Sequence, residues 1–180
     1  MAMTIHSRLP VLLLLLTALF LPACDIAPSD TEQAGLRPIY MAKEQASQIS
    51  AGPARPLRNT GKIYAKDSLI FVNELYQGIH VINNRNPSQP KTLAFIRIPG
   101  NVDLAIKGTI LYADNYRDLI SLDISDLTNI RVVNRVTDAL PQGTQNYPNE
   151  FGVYFECVDL AKGVVVGWEK ATLKNPKCRR

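Results

Sequence analysis

Two stretches of the chain carry the same pattern about 40 residues apart, and this internal spacing constrains the fold more than any other feature. Lys62 to Asn73 aligns with Asp103 to Asp114, and Gly78 to Asn83 aligns with Asp118 to Asp123, apolar position on apolar position. The second copy is one residue shorter, and the deletion falls between Glu74 and Gly78. That is where a deletion is tolerated, because a slip inside a strand would turn every following side chain to the wrong face.

The runs themselves are short, β-branched and aromatic, and polar turns separate them. Lys62 to Lys66, Leu69 to Asn73, Gly78 to Ile82, Leu93 to Ile98, Val102 to Ile106 and Ile110 to Asp114 read as strands. A unit of about 40 residues carrying four short strands, with no helical pattern of matching strength, predicts a β-propeller blade. A third, weaker unit begins near Gly152, with Val153 to Val158 and then Gly163 to Trp168. The irregular segment Thr137 to Glu150 precedes it, and insertions of that kind often build a binding face. The expected fold is therefore all-β, a partial β-propeller of about three four-stranded blade-like repeats over residues 61–180.

Such a ring does not close. Removing the open edges takes typically four to eight blades, so three would leave exposed strands. The chain is then expected to be a truncated part of a longer propeller, or to pair with a second copy as a homodimer, or to remain as open sheets.

Residues 1–23 have a different character. His6 and Arg8 lead into an apolar run from Leu9 to Leu21, too short for a spanning helix, which needs about 20 apolar residues. Leu21-Pro22-Ala23-Cys24 looks like a bacterial lipobox, with signal cleavage after Ala23 and lipid attachment at Cys24; Pro22 is an unusual occupant of that box. Acyl chains contribute about 0.8 kcal/mol per buried methylene, so several of them hold a protein on a membrane it does not cross. Asp25 resembles the residue that retains lipoproteins on the inner membrane, but this rule varies between bacterial groups and leaves inner or outer membrane open. Residues 24–60 carry Pro28, Gly35, Pro38, Gly52, Pro53 and Pro56 in a polar context and read as a flexible, lipid-anchored linker, with one short helix between Ile39 and Ile49.

Charge excludes some partners. A formal net charge of +4 is too mild for strong steering, and an exported chain is kept away from nucleic acid. The basic end, Lys170, Lys174, Lys177, Arg179 and Arg180, reads first as a solvated tail and secondarily as a contact for anionic headgroups.

Several of these residues carry a family resemblance. Gly61 to Tyr64, the run Ile79 to Asn83 ending in Asn86-Pro87-Ser88-Gln89-Pro90, and Leu119 to Asp126 are similar to LVIVD-repeat β-propeller lipoproteins of bacterial envelopes. The resemblance covers roughly residues 59–136. It implies a propeller fold and an envelope location, and it brings no agreed activity. The Asp-x-Ser-Asp turn typical of such repeats is present as Asp123 to Asp126 and becomes Asn83 to Asn86 in the first copy, where Asx side chains would bond the same backbone groups.

Few residues carry chemistry. His80 is the one histidine after processing and lies inside a predicted strand, where packing outweighs catalysis. Asp103, Asp114, Asp118, Asp123 and Asp126 fall at turns and strand ends, and no EF-hand or phosphate-loop spacing is present. Cys157 and Cys178 form a candidate disulfide that would close 22 residues and contribute about 3 kcal/mol, with two free thiols or a metal pair as the weaker alternative because the spacing matches no common zinc pattern. Trp168 reads as a packed aromatic at a strand end, with stacking on a sugar ring as the alternative. No catalytic residue, metal site or cofactor is implied. The expectation is a lipid-anchored envelope binding or scaffolding module facing the periplasm, with a protein or glycan as ligand. The alternatives are a propeller-type envelope enzyme and a truncated fragment.

Overall fold

Period-two alternation gives a strand two faces, and where both faces are covered the apolar residues run together. Both situations occur in this chain, whose structure, a computed structural model, describes residues 31–140 and 146–180. Strand β1 (Glu32–Met41), a one-turn helix α1 (Lys43–Ala46) and β2 (Ser50–Pro53) come first. An antiparallel meander follows, with β3 (Thr60–Lys66), β4 (Leu69–Glu74), β5 (Gly78–Asn83) and β6 (Lys91–Arg97), and β2 pairs with the outer edge of β6. A second meander contains β7 (Leu104–Lys107), β8 (Ile110–Asn115), β9 (Asp118–Asp123) and β10 (Arg131–Val136). The last strands are β11 (Tyr154–Phe155), β12 (Val164–Lys174) and β13 (Cys178–Arg179). The protein is all-β, with three open sheets among the described residues.

The main core lies where the two meanders meet. Phe71, Ile79, Val81 and Ile96 come from the first, and Leu104, Leu111, Ile120 and Leu122 from the second, all closed to solvent. Burying each of the larger side chains contributes roughly 1.5–3 kcal/mol. The residue difference between the two copies falls in a hairpin loop: Leu75, Tyr76 and Gln77 join β4 to β5, while Tyr116 and Arg117 join β8 to β9. Tyr76 and Tyr116 both have positive φ, 67° and 45°.

The turns after β5 and β9 are closed in the same way despite the change from Asn to Asp. Asn83 Oδ1 accepts the Arg85 N–H at 2.9 Å and Asp123 Oδ1 accepts the Ser125 N–H at 3.0 Å. Asn86 and Asp126 do the same for the N–H groups of Ser88 and Thr128. An Asx turn needs only the side-chain oxygen, so amide and carboxylate serve alike. Bonds from these backbone N–H groups and from the Thr128 hydroxyl hold Asp123 and Asp126 below the ordinary carboxylate range.

The third sheet departs from the expected blade. Its order is β12-β1-β11-β13, with β1 antiparallel to β12 and parallel to β11, so it is not a meander of consecutive strands. Its middle comes from residues the sequence assigns to a linker. From Glu32 to Met41, β1 pairs along its length with β12, and β2 lies on β6, so the expected linker over residues 24–60 is corrected for residues 32–53. Among the described residues the strands begin at Glu32, ahead of the expected start at Gly61.

The punctuating residues of β1 have specific accommodations. A Cβ at Gly35 would come 2.6 Å from the Tyr154 carbonyl oxygen, so the glycine permits the parallel approach of β11. Leu36 O accepts the Glu156 N–H on the β11 side, and Pro38 shares that parity beyond the end of β11. Its missing N–H therefore faces away from β12 and removes no ladder bond. Leu36 packs with Phe155, Val165 and Trp168, and Phe155 meets Trp168 edge-on at 5.4 Å.

The C-terminal end is built into this sheet. Cys157 and Cys178 are joined by a disulfide, and the N–H of Arg180 donates to Val153 O. Arg180 also donates to the carbonyl of Pro148 and lies over the Phe151 ring at 4.5 Å. The basic end is thus not a free solvated tail: residues 178–180 are fastened to β11. The expected signal peptide over residues 1–23, with cleavage expected after Ala23 and lipid attachment expected at Cys24, lies outside the described residues, as does part of the segment Thr137 to Glu150.

Candidate functional site

The connection 54–59 between β2 and β3 is irregular, yet two features clamp it across the first meander. Glu74, at the end of β4, accepts the backbone N–H of Asn59 at 2.8 Å through Oε1 and that of Arg58 at 3.1 Å through Oε2. On β5, His80 places Nε2 2.8 Å from the same Oε2, and both side chains are fully buried. Burial pushes the Glu74 carboxyl up, but the bonds from Asn59, His80 and Arg58 outweigh it and hold the group below its ordinary range. The second clamp is Arg55, whose guanidinium lies 3.5 Å above the centre of the Phe95 ring and donates to Gln77 Oε1 at 2.7 Å. Phe95 packs in turn against the His80 ring at 4.8 Å.

This clamped strap forms one wall of a cleft of about 990 Å³, and the third sheet forms another. Arg55, Arg58 and Arg97 line it, and among the described residues none of the three has a carboxylate partner. Lys170 also lines it, as do Glu150 and Glu169, so basic groups outnumber acidic ones four to two. Apolar lining comes from Leu36, Ile39, Leu75 and Val166.

Two aromatic side chains complete the lining. Trp168 is 7% exposed, and its indole Nε1 has no hydrogen-bond partner among the described residues. The Tyr76 ring packs on Gly167, where a Cβ would come 2.7 Å from Tyr76 Cγ. Burial and the nearby Glu150 charge push the Tyr76 hydroxyl up to about 12, so at neutral pH it remains an O–H donor. The lining thus combines hydrogen-bond donors, fixed positive charge and an apolar wall, a combination suited to binding.

The acids singled out from the sequence are used structurally. Asp114 accepts the N–H groups of Val102 and Asp103 and the Asn101 side chain; burial raises its pKa despite these bonds. Asp103 pairs with Lys62, Asp118 with Arg135, and Asp123 with Arg131. No group of three His, Cys, Asp or Glu side chains able to hold a metal occurs among the described residues. His80 is part of the Glu74 clamp, and Trp168 is too covered to offer a ring face to a sugar.

Sequence reasoning passed over Glu74 and the three cleft arginines. The one signal was Arg55-Pro56-Leu57-Arg58, two cations in a segment that its prolines made look like a linker. No family model, curated protein or solved structure matches the chain.

Proposed function

We propose that the chain is a lipid-anchored protein of the bacterial envelope that acts as a β-propeller-like binding module, with the arginine-lined cleft as its binding site. The observation that carries the binding role is the placement, in a cleft with an apolar wall, of three guanidinium groups that have no carboxylate partner among the described residues. Arginine presents several donors in a planar fork, and a cleft bounded by protein strengthens its attraction for an anionic group. The acids at the turns close loops and pair with single cations, which favours binding over a carboxylate-based reaction.

The envelope location rests on Leu21-Pro22-Ala23-Cys24 following a short apolar run. Among the described residues no helix is long and apolar enough to cross a membrane. The propeller reading rests on the two four-stranded meanders packed through one apolar core, with matching Asx turns about 40 residues apart. The cell fraction that holds the protein tests the location. Wild-type protein is expected in the membrane pellet and released by detergent, with a Cys24→Ser variant lacking the lipid; an unlipidated wild-type chain in the soluble fraction would overturn the reading.

A further inference from the structure

We infer that the cleft between the 54–59 strap and the third sheet takes an organic anion, a carboxylate or phosphate group carried on an apolar body. The inference rests on the binding role proposed for that cleft and names the chemistry of what enters it.

Each part of the ligand has a counterpart in the wall. Arg58 and Arg97 are exposed and line the cleft with Arg55, which Gln77 and the Phe95 ring hold in place. Anions bound by such guanidiniums form short charge-assisted hydrogen bonds. The Arg97 side chain meets the Gln48 carbonyl at 3.3 Å and the Met41 sulfur at 3.9 Å, and among the described residues it has no ion-pair partner. Below these cations, Leu36 and Val166 are buried side chains in the cleft lining, and Ile39 and Leu75 extend the apolar surface. A small inorganic anion would leave that surface wet and fill little of about 990 Å³.

Trp168 completes the lining. Its indole N–H is buried without a hydrogen-bond partner among the described residues, an arrangement that costs roughly 1–3 kcal/mol. Tyr76, kept protonated by burial and by Glu150, adds a neutral donor to the lining. Glu150 and Glu169 in the lining disfavour a polyanion and limit the ligand to one or two charges.

Trp168 is the only tryptophan in the chain, so its emission reports this site alone. The full chain, held in phosphatidylcholine nanodiscs, is titrated with phenyl phosphate, benzoate, inorganic phosphate and phenyl glucoside while Trp168 emission is followed. Saturable changes with phenyl phosphate or benzoate, at least tenfold tighter than with inorganic phosphate or phenyl glucoside, are expected. Whichever of the first two is tighter distinguishes a phosphate from a carboxylate source. Arg58→Gln keeps the backbone N–H that Glu74 needs and removes only the charge; it is expected to weaken the anion about tenfold with an unchanged urea midpoint. Equal affinity for phenyl glucoside and phenyl phosphate would overturn the anion assignment while leaving a binding cleft. Absence of any response, or wild-type affinity in Arg58→Gln, would overturn it as well. The envelope reading is judged separately, by the membrane fraction and the lipid at Cys24.

Discussion

Glu74 Oε2 lies 2.8 Å from His80 Nε2 with both side chains closed to solvent, and the same carboxylate holds two backbone N–H groups of the strap that carries Arg55 and Arg58. One buried acid therefore joins β4, β5 and the wall of the cleft. Replacing it with Gln retains the shape but puts an NH2 group among donors, leaving at least one N–H unpaired. Glu74→Gln is expected to lower stability by about 2 kcal/mol in urea unfolding, whereas exposed Glu169→Gln stays within about 0.5 kcal/mol.

The same carboxylate predicts an acid-sensitive component of stability. Its folded pKa lies below the unfolded value near 4.5, so its stabilisation is fully present above that value and is lost as pH falls through the lower folded pKa. Asp114, raised by burial, works in the opposite direction, and for that reason the comparison needs a paired variant. In urea unfolding from pH 6 downward, the stability difference between wild type and Glu74→Gln is expected to shrink below about pH 4.5. A difference that stays constant to the lowest pH would contradict the role given to this group.

Gly167 sets the position of the Tyr76 ring. A methyl group there would meet Tyr76 Cγ at 2.7 Å and force the ring to shift. Gly167→Ala is expected to cost roughly 1–3 kcal/mol and to shift the emission maximum of neighbouring Trp168, as read by urea unfolding and fluorescence.

The Cys157–Cys178 disulfide fastens β13 and Arg180 to the third sheet. Its two cysteines are 21 positions apart, and a loop of that size gives about 3 kcal/mol of stabilisation by chain entropy. The double substitution Cys157→Ser with Cys178→Ser is expected to lower stability by about that amount, together with a rise in amide exchange over residues 178–180.

Strand β10 is an open edge with Val132, Val133 and Val136 exposed, between 42% and 50%. Such an edge invites pairing with another chain. Size-exclusion chromatography of wild type is expected to show self-association that Val133→Lys reduces.

How much of this was legible depended on which residues carried the information. The strands of the two meanders were readable because Leu69 to Glu74 and Ile110 to Asn115 are rich in β-branched and aromatic residues, flanked by turn residues and duplicated. Strand β1 was hidden because Gly35 and Pro38 are breakers by composition. Their tolerance depends on where β11 ends, which only the tertiary arrangement specifies. The alternation of buried Leu36 and Pro38 with exposed Arg37 and Ile39 was present but lay beneath the proline signal. Glu74 could not be recognised from its neighbours, since its three donors come from positions 58, 59 and 80. The cleft brings together arginines from the strap and from β6 with Trp168 from β12, a grouping that no local pattern contains.

The binding role depends on residues 32–59 being part of the folded body, because β1 and the strap form walls of the cleft. Amide hydrogen exchange of the full chain, followed by mass spectrometry of peptides covering 33–41 and 55–60, tests this most directly. The account predicts slow exchange over β1 and at Arg58 and Asn59, with Glu74→Gln accelerating the strap peptide and leaving β1 protected. Exchange of both wild-type peptides at the rate of an unstructured linker would contradict it.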